Sequence, residues 1–441
     1  MAGVFGVVIE MAEMIRVGIA GLGTVGSSVV RLLASHGEKL AARTGRRIAV
    51  TAVCARDRTR PRGVDLGHCV WFSDPVALAQ SPDIDVFVEL IGGDEGPALA
   101  AVAAALQAKK PVVTANKALL ARHGMALALL AEQNNVALAY EASVAGAIPI
   151  VKTLREGLAG NEISRISGIL NGTCNYILSR MERENLSFQT CLAEAQALGF
   201  AESDPTFDIG GFDTAHKLAI LAALAFGTAI DAGAIHIEGI ETITLADIKA
   251  ADELGYRIKL LGVAERTSHG FECRVHPTMV AKTSAIAQVM GVTNAVTIDA
   301  DAAAQLTLVG PGAGGAATAS AIVADLAEIA RGWRQPVFGV PVGLLQQAER
   351  IPMQRHEGGY YIRLSVHDRP GAVAAIATRM AQRQISLESI VQHKSARDGS
   401  PVPVLLITHA TTEALIREAL DAVVQDGFVA QKPQAMRIER E

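Results

Sequence analysis

The chain has 441 residues, half of them apolar and 19% charged, which implies two to four domains with several cores and excludes a disordered chain. With 40 Lys and Arg against 45 Asp and Glu, the net charge is -5, and no basic excess suits a general nucleic-acid binder. Aromatic residues make up only 4%, too few for base- or sugar-stacking platforms. In chain order, Val4 to Ile9 is apolar but short, has no basic flank, and is read as part of an N-terminal extension, 1–13, with Met11 or Met14 as alternative starts. From Ile15 the pattern is strand, turn, helix, repeated. Ile15 to Ala20 is a short strand, Gly21-Leu22-Gly23-Thr24-Val25-Gly26 a turn, and a helix follows to about His36, with Ser35 to Arg47 read as an insertion. Strands are predicted at Ile48 to Cys54, Asp85 to Ile91, Pro111 to Thr114 and Val136 to Tyr140, and a helix at Pro97 to Ala108. This alternation predicts a parallel, doubly wound α/β sheet over 1–147.

After Pro149 the alternation breaks, and 148–330 is expected to be an α+β domain for catalysis and dimerisation. A Pro-containing stretch, 331–357, reads as a linker. The remainder, 358–441, is expected to be a βαββα unit: strand Tyr360 to Val366, turn Asp368-Arg369-Pro370-Gly371, helix Ala372 to Arg383, two strands, and helix Thr412 to Val424. The longest apolar run, Leu218 to Ile230, is interrupted by Gly227 and is shorter than the roughly 20 residues of a membrane span, so no membrane is expected. Cys54, Cys69, Cys174, Cys191 and Cys273 are odd in number and lack a CxxC pair, which points to a reduced, cytoplasmic protein.

Three stretches carry chemistry. Gly21, Gly23 and Gly26 form GxGxxG between a predicted strand and a predicted helix, the arrangement that seats a dinucleotide pyrophosphate at a helix N-terminus together with Thr24 and Val25. The second strand ends in Cys54-Ala55-Arg56-Asp57-Arg58, so Arg56 stands near the adenosine ribose position; a guanidinium there favours NADP, while Asp57 keeps NAD in play. Lys117 follows another strand end, where ligands of such sheets bind. The most informative block is Gly199 to Lys217. Asp213 and Lys217 share one helix face, and the helix continues with apolar residues nearly all round. A charged turn on a buried helix faces a cleft, where a lysine ammonium can protonate a carbonyl oxygen as hydride arrives. Glu202 and Asp208 would supply further carboxylates for an ammonium-bearing substrate.

At these residues the chain resembles homoserine dehydrogenase. The resemblance runs over about 300 residues through the glycine loop, Thr114 to Lys117, Tyr140 to Pro149, Gly168 to Tyr176, Gly199 to Lys217 and Gly310 to Gly314. It implies NAD(P)-dependent interconversion of L-aspartate semialdehyde and L-homoserine on a Rossmann dinucleotide-binding domain. Lys217 would be the proton donor or acceptor, with Lys117 contending for that role and touching substrate and cofactor. Glu202 and Asp213 would bind substrate, Asp208 would support them, and Gly199 and Gly314 would be cofactor-loop glycines. It also implies a monovalent cation, Na⁺, on backbone carbonyls of Glu141, Val144, Gly146 and Ile148. The last 80 residues resemble an ACT domain, which implies feedback by an amino acid, threonine first, at Asp368, Pro370 and Gly371, and a homodimer or homotetramer. Two alternatives stay open at this point: an aspartate-semialdehyde dehydrogenase using Cys174 as nucleophile, and a non-catalytic NADP and amino-acid sensor.

Overall fold

The computed structural model describes residues 12–347, 351–392 and 400–439. The expected extension 1–13 therefore lies outside the described residues up to residue 11. Contacts divide the chain into two units that each take separated stretches of sequence. The first comprises Met1–Ile166, His216–Gly233 and Asp299–Ala348; the second comprises Ser167–Ala215, Ala234–Ile298 and Glu349–Glu441.

The first unit is built on six parallel strands: β1 (Ala12–Ala20), β2 (Arg46–Cys54), β3 (Val70–Phe72), β4 (Val86–Glu89), β5 (Val112–Thr114) and β6 (Leu138–Ala139), in the order β3-β2-β1-β4-β5-β6. They are connected through α1 (Thr24–Thr44), α2 (Pro75–Gln80), α3 (Pro97–Gln107) and α4 (Lys117–Gln133). Ile19, Val50, Val88 and Val113 are buried among Val29, Leu33, Ile322 and Leu326, so the near-continuous apolar strands fill one core. That strand order reverses between β1 and β4, which leaves a crevice at the carboxyl ends of these two strands. One expectation is corrected: α1 does not end near His36. It runs on through the supposed insertion to Thr44, and stops at left-handed Gly45 (φ 73), whose N–H bonds the Ala41 carbonyl. The expected linker is tied down at several points, as where the Gln346 N–H donates to the Gly227 carbonyl at 3.0 Å and the Val342 N–H to Glu132 at 3.0 Å.

The second unit carries the long hairpin β9 (Tyr256–Thr267) and β10 (Gly270–Ala281), with β7 (Ile163–Ile169) beside β9 and the short β8 (His236–Ile237) on β10. β11 (Thr293–Ala300) pairs beyond β7, and β12 (Ala304–Pro311), next in sequence, is counted with the first unit. On the other edge β10 meets the last strand, and the order continues through β13 (Glu357–Val366), β15 (Val402–Thr408) and β14 (Leu387–Gln392), with β16 (Thr411–Thr412) on β13. The last strand, β17 (Gln434–Glu439), pairs parallel with β10 and antiparallel with β13. The C-terminal run is thus βαββαβ rather than βαββα, and its sheet is continuous with the hairpin. Ile362, Leu364, Val404 and Leu406 from its strands pack on Ile376, Met380, Ile416 and Val423 from its two helices, Ala372–Gln382 and Glu413–Gln425.

Lys259 of β9 is 1% exposed, and its Nζ donates to Asn175 Oδ1 at 2.8 Å and to the Val289 carbonyl at 2.5 Å. Burial, with Arg257 nearby, pushes this amine down to about 7. In the unfolded chain it titrates near ~10.4, so between those values the folded state binds fewer protons and folding gains stability as pH rises. Thermal melting of the wild type should therefore rise from pH 7 to pH 9 by several degrees more than that of Lys259→Met. Equal rises in the two proteins would refute this.

Candidate active site

In the first unit the glycine loop closes tightly over the end of β1. A Cβ on Gly21 would stand 2.2 Å from the Leu90 carbonyl oxygen, and one on Gly26 would stand 2.1 Å from that of Gly21. Gly23, by contrast, meets nothing within 4 Å, so backbone is open to approach there. Gly23 is also the N-cap of α1 and brings no side-chain acceptor to the first-turn N–H groups. The Gly315–Ala330 helix begins beside it: a Cβ on Gly315 would lie 2.6 Å from Ser28 Oγ and 3.0 Å from Thr24 Cγ2. Its N-cap, Gly314 (φ +114), likewise supplies no side-chain cap. Two helix N-termini thus flank one loop, a setting that favours a pyrophosphate.

The end of β2 is basic. Arg56, Arg58 and Arg60 are exposed. Arg58 and Arg62 lie over the Trp71 ring at 5.3 and 5.5 Å, and Arg62 Nε donates to the Leu22 carbonyl of the glycine loop at 3.3 Å. The Asp57 carboxylate accepts from Thr59 N–H at 2.8 Å and from its hydroxyl at 2.7 Å, and these bonds hold it below the usual carboxylate range. Sequence reading did not single out Arg62, which shows only as one of four arginines in a loop.

At the ends of β4 and β5 a second group was missed. Glu89 is fully buried; it accepts from the N–H groups of Ile91 and Gly92 at 2.7 and 3.0 Å and from the Thr114 hydroxyl at 2.6 Å. Asn116 donates to the Gly93 carbonyl and caps α4 through Leu119 N–H. These bonds fix the loop from which Lys117, half-buried at the start of α4, projects.

The turn carrying Glu141, Val144, Gly146 and Ile148 is closely packed within the same unit. Ala145 and Gly146 are both left-handed (φ 55 and 57), and a Cβ on Gly146 would lie 2.5 Å from the Gly312 carbonyl. The Glu141 carboxylate accepts from Val151 N–H at 2.9 Å and Lys152 N–H at 3.0 Å, while burial and neighbouring Asp325 push it up to about 7. The Ile148 carbonyl accepts from Ile150 N–H at 2.8 Å, so a cation bound there would share that oxygen. Among the described residues, no group of three or more His, Cys, Asp or Glu is placed to hold a metal ion.

The second unit gathers carboxylates. Asn171, 5% exposed, caps the Gly172–Glu184 helix with its Oδ1 on Cys174 N–H at 2.8 Å. Its Nδ2 donates to Asp208 Oδ1 at 2.8 Å and to Asp213 Oδ2 at 2.9 Å. One amide therefore joins two of the predicted carboxylates, and neither sequence spacing nor composition signalled it. Phe207 and Phe212, each more than 40% exposed, stack at 6.4 Å beside the pair. Glu202 is exposed in the loop before Thr206, where its carbonyl accepts from Gln196. Gly199 ends the Phe188–Ala197 helix in a left-handed conformation (φ 74), with its N–H on the Gln196 carbonyl, a capping role that accounts for the glycine by itself. Asp213, 4% exposed and in this unit, lies one turn before Lys217, 9% exposed and counted with the first unit, on the Phe212–Phe226 helix, whose later residues Leu218 to Leu224 are buried. Cys174 is fully buried and its thiol donates to the Asp208 carbonyl at 3.2 Å. A thiol so placed is a packing group, and the cysteine-nucleophile reading is not supported. All five cysteines are buried thiols, and none forms a disulfide among the described residues.

A doubly wound parallel sheet whose first strand runs through an open glycine loop into a helix N-terminus defines the class: a dinucleotide-binding protein. Family models match in three places: "Homoserine dehydrogenase, NAD binding domain" over residues 21–141, "Homoserine dehydrogenase" over 149–327 and "ACT domain" over 360–425. The homoserine dehydrogenase of Pseudomonas aeruginosa is 44% identical over 415 residues, 93% of this chain and 95% of its own. That of Neisseria gonorrhoeae is 43% identical over the same shares. The crystal structure of a homoserine dehydrogenase from Thiobacillus denitrificans superposes with a TM-score of 0.91 at 41% identity, covering 97% of this chain and 99% of that one. The chain belongs to the homoserine dehydrogenase family, and it ends in an ACT domain. Among the described residues no helix is long and apolar enough to cross a membrane.

Proposed function

We propose that the protein reduces L-aspartate 4-semialdehyde to L-homoserine, with Lys217 as the general acid and NADPH preferred over NADH. The observation that carries this is the pairing of Asp213 and Lys217 on one buried helix, with Asp213 held by Asn171. When bound, the reduced nicotinamide supplies a hydride to the aldehyde carbon. The Lys217 ammonium gives its proton to the oxygen that becomes negative, and the alcohol results; in the reverse direction the amine accepts that proton. Asp213, Asp208 and Glu202 take the substrate ammonium, and Lys117 contacts substrate and cofactor. Gly21, Gly23, Thr24, Val25, Gly26 and Gly314 form the pyrophosphate seat, a reading supported by the open backbone at Gly23 and the two uncapped helix starts. NADP preference is supported by Arg56, Arg58 and Arg62 after β2 and by the engagement of Asp57 with Thr59.

A monovalent cation, Na⁺, on carbonyls of Glu141, Val144, Gly146 and Ile148 belongs to the same proposal; the left-handed turn at Ala145–Gly146 can point several carbonyls together. Four segments divide the work: 1–147 for cofactor, 148–330 for catalysis, 331–357 as connection and 358–441 for regulation, in accord with the three matched spans. The Ala372–Gln382 helix starts at left-handed Gly371 without a side-chain cap, which supports an effector carboxylate at Asp368, Pro370 and Gly371, threonine being the first candidate. A cytoplasmic homodimer or homotetramer completes the proposal. The test is oxidation of L-homoserine followed by absorbance with NADP⁺ and NAD⁺ in parallel. We expect kcat/KM at least tenfold higher with NADP⁺; no turnover with either cofactor would overturn the assignment.

A further inference from the structure

Buried polar side chains line one face of the Gly172–Glu184 helix, where an apolar stripe would be the ordinary solution. Asn171, Asn175, Ser179 and Glu182 are spaced by four, four and three residues, so they share that face. The first three are each 5% exposed or less. Asn175 Nδ2 donates to the carbonyls of Val289 at 3.2 Å and Thr293 at 3.1 Å, and its Oδ1 accepts from Lys259 at 2.8 Å. Ser179 Oγ accepts from Gly291 N–H at 3.1 Å. The Glu182 carboxylate accepts from Arg257 Nε at 2.8 Å, and the same guanidinium donates to the Ala287 carbonyl at 2.6 Å. Lys259 and Arg257 are two residues apart on β9 and so point to one side of it.

These bonds converge on the segment 287–293, and that segment also presses on the start of the helix. A Cβ on Gly172 would stand 2.7 Å from the Val292 carbonyl oxygen. Gly172 directly follows Asn171, whose Nδ2 donates to Asp208 and Asp213. The Asn171 carbonyl in turn accepts from Asn175 N–H at 3.3 Å. Lys259 is therefore separated from the carboxylate pair by one helical turn. Burial of an apolar face would hold the helix on β9 without fixing its place along its own axis, because that attraction has no direction. Hydrogen bonds have a set length and angle, and they fix it. Lys259 closes the network, since its Nζ holds Asn175 on the helix and the Val289 carbonyl of the segment together. The two bonds take two N–H groups, so amine and ammonium both make them.

We propose that Lys259 is a positioning residue for substrate binding: it locks the helix to the segment 287–293 and thereby sets the reach of Asn171 to Asp208 and Asp213. The inference rests on the substrate-binding roles proposed for those two carboxylates. None of the bonded residues belongs to the glycine loop or to the loop before Lys117, so cofactor affinity lies outside it.

Lys259→Met keeps the aliphatic stem and removes both bonds. In the full-length enzyme we expect KM for L-homoserine to rise about tenfold, with kcat changed by less than about threefold, because a small misplacement of a binding group is costly. NADPH affinity, read by fluorescence titration, should stay within about twofold of wild type, as uniform cofactor binding is untouched. On an Asn171→Ala background, Lys259→Met should raise KM by less than about twofold more, since the contact it serves is already gone. Lys259→Met combined with Asn175→Leu replaces the tie by an apolar pair, which should recover the melting temperature and leave KM raised. Gly172→Ala is the milder variant: it forces the helix start off Val292 with Lys259 intact, should raise KM about threefold, and decides the matter if Lys259→Met yields no folded enzyme. Wild-type KM in Lys259→Met or, failing that protein, in Gly172→Ala overturns the proposal. So does a full tenfold effect of Lys259→Met on the Asn171→Ala background, or recovery of KM together with the melting temperature in the Lys259→Met, Asn175→Leu enzyme. Wild-type KM in both Asp208→Asn and Asp213→Asn overturns the carboxylate roles and the proposal with them, whereas raised KM in those two beside wild-type KM in Lys259→Met overturns the proposal alone.

Discussion

Replacing Lys217 with alanine is expected to lower kcat for L-homoserine oxidation by about 10²–10⁴-fold, the contribution typical of a positioned general acid or base, while NADPH should still bind with near wild-type affinity. The reason lies in how the helix places the amine. Lys217 is 9% exposed, it follows Asp213 by one turn, and the next residues, Leu218 to Ala223, are each 2% exposed or less. A charged side chain at the start of such a helix is held there at a cost in desolvation that only polar or charged neighbours offset. Lys217→Met keeps the aliphatic stem and its packing, so a similar kcat loss in the methionine variant excludes a packing explanation. Lys117→Ala provides the contrast. Lys117 starts α4 on the loop fixed by Glu89 and Asn116, so its loss should raise KM for both cofactor and substrate with a smaller effect on kcat. Steady-state kinetics and fluorescence titration of NADPH separate the two. A Lys217→Ala enzyme turning over within twofold of wild type would remove this lysine from the mechanism, and a larger kcat loss in Lys117→Ala would transfer the role to it.

The glycine loop was legible in sequence because each of its glycines answers a local demand: two contacts near 2 Å and one open approach. The full length of α1 was not. Residues 34–39 are mostly exposed, so they lack the apolar periodicity by which a helix is recognised, and the true stop is set by Gly45. Strand β17 was missed for the opposite reason. Its central Arg437 is buried by pairing with Glu238 and Glu413, so the strand shows a charge where alternation calls for an apolar residue. Glu238 is distant in sequence, and nothing local announces the pair. The same holds for the carboxylate cluster: Asp208 and Asp213 are visible as residues on a helical approach, but the amide that joins them comes from Asn171, 37 and 42 positions earlier.

That amide makes the second large prediction. Asn171 cannot turn over without loss, because Oδ1 is committed to Cys174 N–H and so directs Nδ2 at both carboxylates. Removing Nδ2 takes a donor from each carboxylate, which favours their protonated forms and moves their titration to higher pH. We therefore expect Asn171→Ala to lower kcat/KM for L-homoserine about 10–100-fold, mostly through KM, and to move the acidic limb of the kcat/KM profile to higher pH. The alanine variant also loses a helix cap, worth ~1 kcal/mol, so by itself it mixes stability with function. Asn171→Asp separates them. Aspartate caps a helix N-terminus as well as asparagine does, but it places a third carboxylate against Asp208 and Asp213. If Asn171 acts only as a cap, the aspartate variant should resemble wild type. If it holds the two carboxylates, Asn171→Asp should be the worse of the two enzymes at neutral pH and recover as pH falls and the cluster takes up a proton.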